Sequence, residues 1–204
     1  MHRSIAATTV LIGSLAAPIA SANVIDITFQ FLDLEYDGSV LETPGFFNDP
    51  LDAVTFRVDG VTVGTITSGV EANVNIPVVL PAPSSIPGSS MATSGAGNFD
   101  LIFGSDFLFL DVDEVEVTYL DTGTVKFVFG AETDASIAGQ SLPFGLEIGE
   151  PVEISFSAQL SSGDFTGFVA EGTGEIVGIP EPSSLLLAGA AIGVIALPRR
   201  RRDG

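Results

Sequence analysis

The chain of 204 residues contains no cysteine and no tryptophan, and its one histidine is His2. Without cysteine it cannot form disulfides, so a secreted domain must be stabilised by its core or by bound ions. If His2 leaves with an N-terminal leader, histidine-dependent catalytic triads and zinc or copper sites built from histidine or cysteine are excluded. Carboxylates are then the main candidates for catalysis or metal binding.

Basic residues are scarce between positions 23 and 179, which we call the body. Arg57 and Lys126 stand there against 24 acidic residues, so the body carries a net charge of −22. A surface of this charge repels polyanions, which excludes nucleic acids as partners. It attracts divalent cations or basic polymers, or it serves as a solvated anionic coat.

The N-terminal segment has the pattern of a secretory signal peptide. A short positive start is followed by an apolar run at 5–19 and by the small-residue site Ala20-Ser21-Ala22. We predict that residues 1–22 are removed by signal peptidase, with cleavage between Ala22 and Asn23. The body is therefore expected to be exported.

The C-terminal segment combines three features in order. Pro180, Glu181 and Pro182 precede an uncharged apolar run at 183–197, and a basic stop at 198–202 follows. The basic stop contains four consecutive arginines: Arg199, Arg200, Arg201 and Arg202. As a helix the apolar run would span about 22 Å, short of a bilayer core of about 30 Å. It predicts a short transmembrane helix whose arginines stay on the cytoplasmic side.

This order of motif, apolar run and arginine cluster resembles the PEP-CTERM sorting signal of Gram-negative, exopolysaccharide-producing bacteria. The resemblance covers about residues 179–204. It implies recognition by an exosortase, a membrane protease-transpeptidase that removes or exchanges such tails. It also implies transient retention at the cytoplasmic membrane, followed by release or attachment at the outer surface or in the matrix, with exopolysaccharide as a possible partner. It implies nothing about the activity of the body.

The body shows the pattern of an all-β domain. Apolar and polar residues alternate over 24–34, and three hairpins are predicted at 53–67, 115–129 and 152–170. Residues 81–98 are small and poor in core formers, which predicts a flexible loop. We expect a single antiparallel β-sandwich of jelly-roll type.

Asp121-Thr122-Gly123 matches the catalytic motif of aspartic proteases, and Ile176-Val177-Gly178 resembles a second element of the retroviral type. That chemistry needs two aspartates that share a proton, so a single copy would require a homodimer. The alternative is a hairpin turn in which aspartate and glycine serve the backbone.

Two acidic runs are candidates for calcium, a hard cation that prefers oxygen ligands. The candidate ligands are Asp33, Glu35, Asp37, Asp111 and Asp113. Solvated strand faces would show the same pattern. Pairs of carboxylates could also serve a glycosidase, but no pair is singled out.

The leading hypothesis is a non-enzymatic surface or extracellular-matrix protein with a structural or adhesive role, and no cofactor is expected. The alternatives are a secreted module that binds calcium or a polycation, and a carboxylate-based hydrolase of the glycosidase or aspartic-protease type.

Overall fold

The computed structural model describes residues 23–44, 49–83, 85–94, 96–137 and 140–178 of the chain. The predicted signal peptide at 1–22, the predicted membrane helix at 183–197 and the rest of the predicted sorting segment lie outside this part. Among the residues that are described, no helix has the length and apolar character needed to cross a membrane.

The described residues form twelve strands and one short 3₁₀-helix. Along the long strands, apolar side chains alternate with polar ones and the apolar set is buried, as the two-residue repeat of a strand requires. The strands are β1 Ile25–Tyr36, β2 Val40–Glu42, β3 Asp49–Leu51, β4 Val54–Val58, β5 Val61–Ile66, β6 Val70–Val79, β7 Gly88–Ser94, β8 Gly97–Phe103, β9 Asp106–Tyr119, β10 Thr124–Thr133, β11 Val152–Asp164 and β12 Gly167–Gly178; the 3₁₀-helix is Pro143–Gly145.

The strands close into an antiparallel barrel of eight positions. In ring order these are β1, β12, β11, β10, β9, the β7/β8 pair, β6 and β2, which returns to β1. The ring is closed by the first and last long strands, which pair from Ile25–Gly178 to Tyr36–Phe168. The β4–β5 hairpin continues the sheet from the first half of β1 and lies outside the ring.

The expected β-sandwich of jelly-roll type is therefore wrong, although the all-β class is confirmed. Sandwiches and barrels place alternate residues inside and outside in the same way, so the pattern along each strand does not distinguish them. What distinguishes them is the pairing of β1 with β12, whose residues are far apart in the sequence.

Two of the three predicted hairpins have the expected turns. Asp59 and Gly60 join β4 to β5 with φ of 50° and 77°, the left-handed conformations of a two-residue hairpin turn. Asp121 and Gly123 lie between β9 and β10, where that turn was expected.

The third hairpin turns later than expected. Residues Ser161–Asp164 belong to β11, and the turn lies at Phe165 and Thr166. The Asp164 carboxylate fixes it by accepting hydrogen bonds from the Thr166 backbone N–H at 2.8 Å and from its hydroxyl at 2.6 Å. β12 then continues without a break to Gly178.

The predicted flexible loop at 81–98 contains a strand. Within it, β7 pairs with β9 from Gly88–Tyr119 to Ala92–Val115, and β8 begins at Gly97. Ladder hydrogen bonds come from the backbone, so small side chains that add little to a core still form a strand when a partner strand is present.

The inside of the barrel is filled with phenylalanine. Phe29, Phe99, Phe127, Phe129 and Phe156 are all buried, with ring centroids 5.2–6.3 Å apart in the contacting pairs. An eight-stranded barrel can either hold a small ligand or be filled by side chains. This one has a packed core, and among the described residues that core extends from Ile25 to Ile176.

Gly174 of β12 provides room for these rings. A Cβ at this position would overlap the Ser155 backbone oxygen and Phe156 Cβ, and it would lie 2.8 Å from Phe29 Cζ. Because the neighbours include backbone and packed rings, they cannot move aside at low cost.

Replacement Gly174→Ala should therefore lower the free energy of unfolding by about 1–3 kcal/mol through overpacking. The matched control is Gly130→Ala in β10, where the nearest atom to the new Cβ would be Glu114 Cβ at 3.8 Å. The control should be neutral or slightly stabilising, by up to about 1 kcal/mol. Urea unfolding followed by circular dichroism measures both, and equal stabilities of the two variants would contradict the packing described for β12.

Candidate functional site

The two predicted acidic runs do not meet. Asp33 and Glu35 are exposed on β1, and Asp111 and Asp113 are exposed on β9. These strands occupy opposite positions of the ring. In the described ranges, no three His, Cys, Asp or Glu side chains form a group that could hold a metal ion. The five predicted calcium ligands therefore do not form one site.

Asp37, the fifth candidate ligand, serves the turn after β1. Its Oδ1 accepts hydrogen bonds from the backbone N–H groups of Ser39 at 2.7 Å and Val40 at 2.8 Å, and from the Ser39 hydroxyl at 2.8 Å. The side-chain bond from Ser39 and these backbone bonds lower the pKa of the Asp37 carboxyl. The carboxylate is thus occupied by its own turn.

Asp121 also serves a turn. Its Oδ1 accepts a hydrogen bond from the Gly123 N–H at 2.7 Å in the exposed β9–β10 connection. Ile176, Val177 and Gly178 lie in β12, which is three positions away from β9 in the ring. Within one chain, the structure does not bring the two protease-like elements together.

The start of β1 and the end of β12 lie at the same end of the barrel, which we call the exit end. Ile25 at the start of β1 pairs with Gly178 at the end of β12. Asn23, next to the predicted signal-peptidase site, is exposed there, and the Val24 N–H donates to Asp59 Oδ1 at 3.0 Å. Ala20, Ala22, Pro180, Glu181, Pro182 and the four arginines lie outside the described residues. The opposite end, with the turns at 37–39, 120–123 and 165–166, is called the far end.

An apolar loop lies at the exit end. Residues 145–149, including the exposed Glu147, line a surface depression of about 430 Å³ together with Asn23, Ile25 and Val58. Phe144 is 55% exposed and has a φ of 66°, an uncommon conformation for a bulky residue. Its ring packs edge-on against Phe56, with centroids 5.5 Å apart, and covers Gly64.

A second depression, of about 420 Å³, lies on the outer face of β1, β4, β10, β11 and β12. We call it the Arg57–Lys126 depression, since both basic residues of the body line it. Its other polar side chains are Thr28, Gln30, Ser155, Ser157, Thr173 and Glu175. Each of them lies next to a buried residue of its own strand, on the outward face.

Of the two basic residues that line this depression, Arg57 forms a salt bridge and Lys126, among the residues that the structure describes, does not. Arg57 Nη1 lies 3.4 Å from Asp26 Oδ2, and the Ser155 hydroxyl donates to Glu175 Oε1 at 3.5 Å. Across the described part of the chain, Lys126 forms no salt bridge. An unpaired ammonium beside hydroxyl groups can bind one carboxylate of a ligand by donating hydrogen bonds to it. Sequence reasoning missed this site. The sequence shows that Arg57 and Lys126 are the two basic residues of the body, but it does not show that both line one depression.

No protein-family model, no curated protein and no solved structure matches the chain.

A partly buried carboxyl lies on the outside of β8. Burial raises the pKa of Asp100 to about 6, with smaller increases from the charges of Asp111 and Asp134. Asn98 Nδ2 donates to Asp100 Oδ2 at 2.7 Å and opposes the shift. Since the folded state holds this proton more tightly than an unfolded chain does, its contribution to stability is complete below about pH 4 and is lost as the pH rises through about 6.

Replacement Asp100→Asn should remove this loss. At pH 8 it should raise the free energy of unfolding by about 1–2 kcal/mol, a value reduced from the full pKa shift because the group is partly solvated. At pH 4 the variant and the wild type should be equally stable. Urea titrations at both pH values test this, with the exposed Asp52→Asn as a control for net charge. A stability gain that is the same at both pH values would rule out titration of Asp100.

Proposed function

We propose that this is an exported protein, held at the cytoplasmic membrane by its C-terminal segment, processed by an exosortase, and then placed at the outer surface or in the extracellular matrix with a structural or adhesive role. The sorting motif at 180–182 and the arginines at 199–202 support export and processing. The structural observation that carries the proposal is the exit end: the two segments to be processed both leave the filled barrel there.

The geometry suits processing of a folded protein. The strands of the ring run from Ile25 to Gly178, so cleavage at either predicted region would remove no core strand. The packed interior favours a structural role over carriage of a ligand inside the barrel. In this proposal the chemistry is performed on the chain by signal peptidase and exosortase.

The tail is tested by expressing the full chain in a Gram-negative host that has an exosortase and in the same host without it. Intact mass should show a mature start at Asn23 in both hosts and loss of the tail only in the first. The double variant Pro180→Ala/Pro182→Ala should keep its tail, whereas the control Pro83→Ala should be processed like the wild type. Equal tail removal in both hosts would contradict the proposal.

A second candidate function is a ligand-binding module, favoured by the Arg57–Lys126 depression. Its volume is in the range of small-molecule sites, and its hydroxyl, amide and carboxylate groups match a sugar that bears one carboxylate. A dense polyanion is disfavoured, because the net charge of −22 on the body repels it. For the Arg57–Lys126 depression we therefore propose a sugar of this class as the ligand, instead of calcium or a polycation.

Methyl glucuronide and methyl glucoside are the matched probes, because they differ in a single carboxylate. Amide shifts in NMR titrations of residues 23–178 should reveal weak binding of the glucuronide around Lys126, with the glucoside weaker still. Lys126→Gln should weaken glucuronide binding about three- to fivefold. The control Thr67→Glu changes net charge by the same amount on an exposed site elsewhere and should leave the affinity almost unchanged. Equal shifts with both sugars would exclude a carboxylate site.

A further inference from the structure

The chain that links the barrel to the predicted membrane segment is short. Residues 179–182 separate Gly178, the end of β12, from the apolar run that starts at Ser183. This link spans at most about 17 Å when fully extended. Strands β11 and β12 have 13 and 12 residues, which correspond to about 40 Å along a strand and about 30 Å along the axis of a barrel with ordinary tilt. The link is therefore shorter than the barrel.

This comparison restricts which surface can meet the lipid. With the exit end tethered within about 17 Å of the bilayer, the far end cannot reach the bilayer. The remaining alternative is a barrel lying on its side, which would press outward carboxylates such as Glu116 and Glu171 against the lipid surface. Removing charged groups from water is costly, so the side-on arrangement is disfavoured.

The exit end carries several apolar side chains that suit such a contact, together with the exposed carboxylates of Asp59 and Glu147. Phe144 is 55% exposed and Val61, beside the β4–β5 turn, is 68% exposed. Leu146 and Ile148 are half-buried in the same loop. Because the Phe144 ring already packs against Phe56 and Gly64, the side chain is held in place rather than free to turn away. Apolar side chains at the boundary of headgroups and acyl chains are stabilised there.

We propose that the exit end of the barrel rests on the lipid surface while the tail is in place, with Phe144 as its leading contact. The contact deepens the proposed function and rests on the tail being membrane-held. A few apolar side chains bind a bilayer weakly by themselves, and the tether supplies the effective concentration that keeps them there. The far end, with the turns of Asp37, Asp121 and Asp164, then faces the medium.

The absence of tryptophan from the chain provides a clean measurement. The chain from residue 23 to 204 is reconstituted into phosphatidylcholine vesicles with brominated acyl chains, as three single-tryptophan variants. Phe144→Trp reports the exit end, Leu120→Trp the far end and Leu186→Trp the predicted membrane segment. Leu120 is 43% exposed, so it matches Phe144 in character but not in position.

The expected result is strong bromine quenching and a blue-shifted emission for Trp at 186, partial quenching and a smaller shift for Trp at 144, and neither for Trp at 120. Quenching at 186 without quenching at 144 would overturn the lipid contact and leave the proposed function intact. No quenching at 186 would remove the membrane tether, and with it the proposed function. Equal quenching at 144 and 120 would overturn the orientation.

If Phe144→Trp does not fold, Val61→Trp reads the same end of the barrel. Replacing a third of the lipid by phosphatidylglycerol gives a further check. Since the body carries a net charge of −22, an anionic surface should push it away and reduce quenching at 144, with added salt restoring it. Quenching at 144 that is the same in all lipids and at all salt concentrations would overturn the proposed contact, because a charged body resting on the bilayer surface must respond to the charge of that surface.

Discussion

The pairing of β1 with β12 is the constraint on which the rest of this structure depends. It joins the first and last long strands of the body from Ile25–Gly178 to Tyr36–Phe168 and closes the ring. Closure satisfies the backbone groups of both strands without a disulfide, which a chain with no cysteine could not supply. It also places the start and the end of the body side by side. The neighbouring positions of Ile25 and Gly178 are thus a consequence of how the barrel is held together.

Closure also determines the composition of the interior. Eight positions around the ring leave a space that side chains can just fill, and here phenylalanines from several strands fill it. Glycine at position 174 allows the rings of Phe29 and Phe156 to approach the β12 backbone. The large phenylalanine rings of β1 and β11 and the small Gly174 of β12 are therefore complementary in size. A body without disulfides obtains its stability from this packing, and its acidic residues lie on outward strand positions or in the connections between strands.

Sequence reasoning recovered what depends on neighbouring residues. The all-β class and two of the turns followed from alternation and from aspartate–glycine pairs, whose conformations are local. It did not recover closure, because the pairing of Ile25 with Gly178 leaves no local pattern. It also did not recover strand β7, whose small residues are ordered by pairing with β9.

At the candidate sites, Asp37 and Asp121 looked like ligands or catalysts because a turn-forming aspartate uses the same side chain. Arg57 of β4 and Lys126 of β10 line one depression only because of the order in which β1, β12 and β11 lie between these two strands.

The carboxylates of the barrel act on its stability in opposite directions. The pKa values of Asp37 and Asp164 are lowered by hydrogen bonds within their turns, so their stabilisation is present above their ordinary pKa and is lost as the pH falls. Burial raises the pKa of Asp100 to about 6, so its contribution is lost as the pH rises. The two effects leave the greatest stability from these groups between about pH 4 and 6. The excess negative charge acts in the same sense as Asp100, because ionisation of further carboxylates increases repulsion within the body. The acidic composition thus makes the fold most stable in a mildly acidic medium. The turns of Asp37 and Asp164 at the far end set the lower limit of that pH range.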